Sequence, residues 1–248
     1  MTEINEQIPT FSDLAIRQKD LLGQERLTGY LKALSHKSKE GLSIVNFNQL
    51  QNPDETIEQL LNFFVEEEGR RSHCLLVGKC AQKIGQWSGV DKELLLRTGT
   101  LHDIGNYPYV EKKAPWHIWK GVIILESLGF KQEAQVLAGM SPLAEGLEYY
   151  YQHYRPEGNW KEDFPYIHYP ATLAQKILTL ADHIVTPKGK IVTLEDRLHD
   201  IRSRYQAGDP VRDIVDMAWP NVIKSQKAVL SKLNLSEEEL ISRLQKND

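Results

Sequence analysis

Ser72–Trp87, SHCLLVGKCAQKIGQW, and Asp91–Gly105, DKELLLRTGTLHDIG, decide the fold class, with only Ser88-Gly89-Val90 between them. In the first stretch His73, Val77, Cys80, Ile84 and Trp87 recur every three or four residues, which puts them on one helical stripe. The second stretch carries Leu94, Leu95 and Leu101 behind the capping residue Asp91, so a helix pair is expected here. Outward from this pair, further helices are expected over Glu55–Glu67, His117–Leu128 (stopped by Gly129), Pro142–Tyr154 and Pro170–Val185. The last of these has the stripe Ala174, Ile177, Leu178, Ala181, Val185. Past Pro187 comes a basic turn, Lys188-Gly189-Lys190. Helices are then expected over Thr193–Gln206 and Pro210–Leu233, followed by a final helix capped by Ser236 with Glu239 three residues on. The first fifty residues offer two short helical candidates, Phe11–Leu22 and Glu25–Leu34. Period-two strand patterns and repeats are absent, so the chain reads as all-α. Its expected parts are an N-terminal helical or irregular extension (1–52), a core (53–190) and a C-terminal helical extension packed on the core (191–248).

With 248 residues, 41% hydrophobic and 26% charged, the chain can bury one sizeable core. A net charge of −4 and a pI near 6.1 supply no general attraction to duplex nucleic acid or an anionic membrane. Cys74 and Cys80, six apart on one helix, cannot form a local disulfide, which suits a reducing cytoplasm. Met1–Pro9 lacks the basic start and apolar run of a secretion signal, and no eighteen apolar residues run together. A cytoplasmic protein without a membrane partner is expected.

His102-Asp103 closes the second helical stretch and runs into Ile104-Gly105. Neighbouring side chains at a helix end diverge by about 100°, so imidazole and carboxylate can hold one ion while the second carboxylate oxygen reaches another. The dipeptide alone is weak evidence. Leu198-His199-Asp200-Ile201 repeats the string but continues into Arg202-Ser203-Arg204, which reads as solvated surface. What sets the first copy apart is the leucine-rich helix before it and Gly105 after it, expected as a left-handed stop. His73, on an apolar stripe, needs a hydrogen bond or a metal. Asp182, beside Leu178, Ala181 and Val185, needs a strong partner, unless adjacent His183 marks that face as surface. His117 has Gly121 one turn on, allowing close approach. His153 follows an aromatic run, Tyr149-Tyr150-Tyr151, and precedes the turn Arg155-Pro156-Glu157-Gly158; it reads either as a site residue or as a half-exposed helix end.

Taken in order, His73, His102, Asp103, His117, His153 and Asp182 resemble the ligand set of the HD superfamily, HDIG type, of metal-dependent phosphohydrolases, across roughly Arg70–Pro187. The resemblance implies an HD-domain helical bundle with helical extensions at both ends, in which His73, His102, Asp103 and Asp182 bind one divalent transition ion: Mn, Fe, Co, Ni or Zn. It also implies a weaker second site, bridged by Asp103 and held by His117 and His153, because Gln152-His153 stands where a histidine pair is expected. Catalysis would fall to Asp103, His117 and His153, with a metal-activated water cleaving a nucleotide or other small phosphoester. Arg70, Arg71, Lys188 and Lys190 are candidate phosphate contacts. Two alternatives stay open: a mixed-valence di-iron oxygenase on the same ligands, and a non-catalytic nucleotide sensor.

Overall fold

The computed structural model describes residues 53–65, 67–106, 117–127 and 129–246, and every element within them is helical apart from one isolated bridge. In chain order the helices are α1 (Pro53–Phe64), α2 (Glu68–Ser88), α3 (Lys92–Leu101), α4 (His117–Ser127), α5 (Lys131–Ala138), α6 (Leu143–Tyr154), α7 (Trp160–Asp163), α8 (Leu173–Ile184), α9 (Leu194–Arg204), α10 (Pro210–Leu233) and α11 (Glu237–Gln245). A 3₁₀ turn, Ile104–Asn106, follows α3. The candidates Phe11–Leu22 and Glu25–Leu34 lie outside the described residues.

The α2–α3 hairpin organises the rest. Gly89 takes the left-handed conformation, φ 76°, that ends α2, and the Asp91 carboxylate accepts from the Glu93 and Leu94 amides to start α3. The two helices then meet glycine to glycine. A Cβ on Gly99 would lie 2.8 Å from the Gly78 Cα, and one on Gly78 would lie 2.9 Å from the Leu96 carbonyl oxygen, so neither position has room for a side chain. This close crossing carries His73 and His102 to the same end of the pair, with ring centroids 5.3 Å apart.

Helix α8 lies against the hairpin, its start fixed by a reciprocal capping box between Thr172 and Gln175. Val77, Ala81, Ile84, Leu95, Leu101, Leu137, Leu147, Ile177, Leu178 and Ala181 are buried in one continuous core. Val222 and Val229 of α10 and Leu240 and Leu244 of α11 join the same core, and the Ser236–Glu239 capping box starts α11 as its spacing suggests. Two helices have no counterpart among the sequence expectations. In α5, Glu133 is buried and accepts from Arg97 Nε at 2.7 Å, so a charge occupies the core-facing side and hides the amphipathic pattern. The four-residue α7 is too short to show a period.

Candidate metal centre

His73 lies in the first turns of α2, His102 caps the C-terminus of α3, Asp103 follows it, and Asp182 comes from the last turn of α8. His73, His102 and Asp103 are all buried and bring ligand atoms within 4.8 Å of one another. Asp182 Oδ1 lies 3.1 Å from His73 Nε2 and 3.3 Å from His102 Nε2. His117, the first residue of α4, places Nε2 3.3 Å from Asp103 Oδ1, and Arg70 Nη1 donates to Asp103 Oδ2 at 2.8 Å.

The far sides of the imidazoles show what the near sides are for. His73 Nδ1 stands 3.3 Å from the Thr186 carbonyl and His102 Nδ1 2.7 Å from the Gly99 carbonyl. A carbonyl only accepts, so each Nδ1 bears the proton and each Nε2 of a neutral ring turns a lone pair inward. Two lone pairs then face a carboxylate oxygen that is also an acceptor. A proton or a metal cation must lie between them. In the metal-free protein a proton serves: burial disfavours the imidazolium of His102, but Asp103 and Asp182 outweigh burial and push its pKa up to about 9. Burial likewise opposes the carboxylate charges, yet His102, His117 and Arg70 hold Asp103 far below the usual range. His102 and His73 do the same for Asp182. Two imidazole nitrogens and two carboxylates with a deficit of positive charge fit a divalent transition ion.

The backbone that frames the cluster is equally specific. After α8 the chain folds through Thr186–Lys190, with the Thr186 amide bonded to the Lys190 carbonyl at 2.8 Å and Gly189 at φ 67°, which fixes the Thr186 carbonyl for His73. Gly105 does not have the positive φ of a left-handed stop, so that expectation is corrected. Its role is close approach: a Cβ there would fall 1.7 Å from the His117 carbonyl oxygen and 2.6 Å from the Gly121 nitrogen. The start of α4 therefore lies directly on the tetrad turn, with Gly121 at the contact, and this brings His117 to Asp103.

The other sequence candidates have partners or exposure of their own. His183 is buried beside Asp182, its Nδ1 3.9 Å from Asp182 Oδ2 and donating to the Thr179 carbonyl at 2.8 Å, and its ring meets Trp219 edge-on, so it does not mark Asp182 as surface. His153 is exposed; its Nδ1 bonds the Tyr149 carbonyl at 2.8 Å and its ring stacks on Tyr149 at 4.0 Å. Among the described residues no hydrogen bond or ion pair joins it to the cluster. Gln152 is exposed as well. Arg71 Nη1 donates to the Val65 carbonyl, and Lys188 and Lys190 are exposed on the turn after α8. Sequence reasoning passed over the carbonyls of Gly99 and Thr186, which no side-chain pattern marks, and the pairing of Arg70 with Asp103.

A family model, the HD domain, matches residues 70–201, more than half of the chain. The chain belongs to the HD domain family. This is a family of metal-dependent hydrolases, and the buried histidine–aspartate cluster lies within the matched region. Comparison with curated proteins and with solved structures finds no match. No helix among the described residues is long and apolar enough to cross a membrane.

Proposed function

We propose that this HD-domain protein is a metal-dependent phosphohydrolase acting on a nucleotide or another small phosphoester. The observation that carries the reading is the convergence of His73, His102, Asp103 and Asp182 around a point where Nε2 lone pairs and carboxylate oxygens need a shared cation. Bound there, a divalent ion would supply an acidified water and positive charge for phosphoryl oxygens. The chain supplies the rest. The Gly99 and Thr186 carbonyls hold both imidazoles in the tautomer that ligates, and Asp103 orients His117 through Oδ1. His117, about one-third exposed, is open to a bound substrate; with Nε2 engaged by Asp103, it moves a proton at Nδ1, either from the attacking water or to the departing alkoxide. Lys188, two residues beyond Thr186, and Arg70, at the cluster itself, would meet phosphoryl oxygens.

The test is metal analysis of the purified protein, then a screen of nucleotides and small phosphoesters with added Mn²⁺, comparing wild type with Asp103→Ala. Phosphate release by wild type alone is expected. Equal release by both proteins would end the proposal.

A further inference from the structure

The two oxygens of Asp103 serve different neighbours. Oδ1 faces the histidines, with His117 Nε2 at 3.3 Å and His102 Nε2 at 3.7 Å, whereas Oδ2 accepts from Arg70 Nη1 at 2.8 Å. Arg70 lies three residues before His73 at the start of α2, with Glu67 3.9 Å from its Nε. We infer that Arg70 places a permanent positive charge on the side of Asp103 where a second ion would have to bind, so the centre holds one metal per chain. The inference rests on the metal-dependent reading above and specifies its stoichiometry.

A carboxylate that bridges two ions must give one oxygen to each. Here Oδ2 already belongs to a charge-assisted hydrogen bond, and Asp103 is almost wholly buried. A guanidinium stays charged at any pH the protein survives, so it cannot lose a proton to admit a cation as a histidine can. A divalent ion at Oδ2 would displace Arg70 and then face its charge at close range. The charge balance at the ligands points the same way, since Asp103 and Asp182 contribute two negative charges against three positive from one divalent ion plus Arg70, and Glu67, the other carboxylate near Arg70, is largely exposed. Among the described residues, the further donors expected on α6 are not at hand. His153 and Gln152 are exposed on α6, and neither bonds to Asp103 or His117. Arg70 is thus a positioning residue: it fixes Oδ2 and leaves Oδ1 turned toward the metal.

The full-length protein, stripped with a chelator, is titrated with Mn²⁺ and followed by calorimetry and electron paramagnetic resonance. One Mn²⁺ per wild-type chain is expected, with no exchange-coupled signal at excess Mn²⁺. Arg70→Glu, which puts a carboxylate in place of the guanidinium, is expected to take up a second Mn²⁺ and to show coupling. Two coupled ions in wild type would overturn the inference while leaving metal dependence intact, and so would an unchanged single site in a folded Arg70→Glu protein. Failure of both wild type and Asp103→Ala to bind any Mn²⁺ would sink the metal-dependent reading itself. Circular dichroism establishes that the variant is folded; if it is not, the wild-type stoichiometry decides.

Discussion

Leu101-His102-Asp103-Ile104 and Leu198-His199-Asp200-Ile201 are the same four residues with opposite fates. In the first copy all four are buried. In the second, Ile201 is buried, Leu198 and Asp200 are half-buried and His199 is exposed. Helical geometry explains the difference. Four consecutive residues inside a helix fan out over about 300°, so within α9 the aliphatic pair can face the core only if histidine and aspartate turn outward. At the end of α3 the chain leaves helical geometry for a 3₁₀ turn, α4 closes over Gly105, and α2 and α8 flank the remaining side. A helix end can be surrounded, whereas a helix middle always keeps one face outward.

The largest effect expected from this contrast is chemical. Asp103→Ala should abolish stoichiometric metal binding and lower any metal-dependent hydrolysis by about 1,000-fold or more, because the ligand that faces both His102 and His117 is gone. Asp200→Ala, the same change in the other copy, should leave metal content and turnover within about twofold of wild type. Metal analysis and kinetics on the pair check this, and a comparable loss in both would show that the two copies are not distinguished by their surroundings.

Much of the fold could be read from periodicity, and the reasons for the gaps are local. The stripes of α2 and α8 were visible because their apolar residues recur at helical spacing and only His73 and Asp182 interrupt them. Those interruptions were also the signal of a site, since a buried polar group needs a partner. Helix α5 escaped because its buried Glu133 finds Arg97, a pairing that depends on three dimensions. Gly78 and Gly99 look like helix weaknesses until the crossing of α2 over α3 shows why neither can carry a side chain. Arg70 looks like any exposed cation, since nothing in its sequence neighbourhood indicates that Asp103 lies within reach. On α6, Leu143, Leu147 and Tyr151 form a buried stripe from which His153, two residues past Tyr151, turns away, but Tyr149 and Tyr150 beside it blur that stripe in the sequence.

Next in size is a packing effect. Gly105→Ala should cost about 3 kcal/mol or more in urea unfolding and weaken metal binding, because the methyl group must push α4, and His117 with it, away from the turn. The equivalent position in the second copy is Arg202, whose guanidinium meets Asp216 at 2.8 Å in an exposed pair. Arg202→Ala should cost about 0.5 kcal/mol or less. A tolerated Gly105→Ala would mean that α4 is not held against the tetrad.

A third difference is set by pH in the chelator-stripped protein. His102 has its pKa raised to about 9, so its contribution to stability is complete below its unfolded value near 6.5 and is lost as pH rises through about 9. Asp103 and Asp182 are depressed; their contribution is present above the ordinary carboxylate range and is lost as pH falls below it. The metal-free protein should therefore be most stable at mildly acidic pH. The alkaline decline should be worth up to about 3 kcal/mol and should be absent in His102→Gln. Since a ligating imidazole must give up its proton, apparent metal affinity should climb by up to about tenfold per pH unit below 9. Denaturation midpoints across pH, with and without Mn²⁺, read both trends, and a flat profile in the stripped protein would show that His102 carries no such proton.

The smallest expected effect separates burial from geometry. Arg70 reaches Asp103 at 2.8 Å and Arg204 reaches Asp200 at 2.9 Å, so distance alone makes the two ion pairs equivalent. Asp103 is almost sealed from solvent, however, while both partners of the Arg204 pair are more than one-third exposed and Asp200 has a second guanidinium, from Arg197, at 2.7 Å. Water and salt screen the outer pair, and Arg197 remains as a partner when Arg204 is lost. Arg204→Ala should accordingly change stability by a few tenths of a kcal/mol, a difference that disappears by about 1 M NaCl. Arg70→Ala leaves a buried carboxylate without the one arginine paired with it among the described residues, and that loss should persist at the same salt concentration. If both pairs respond equally to salt, the first Asp is more solvated than its surroundings indicate, and the contrast between the two copies loses its electrostatic basis.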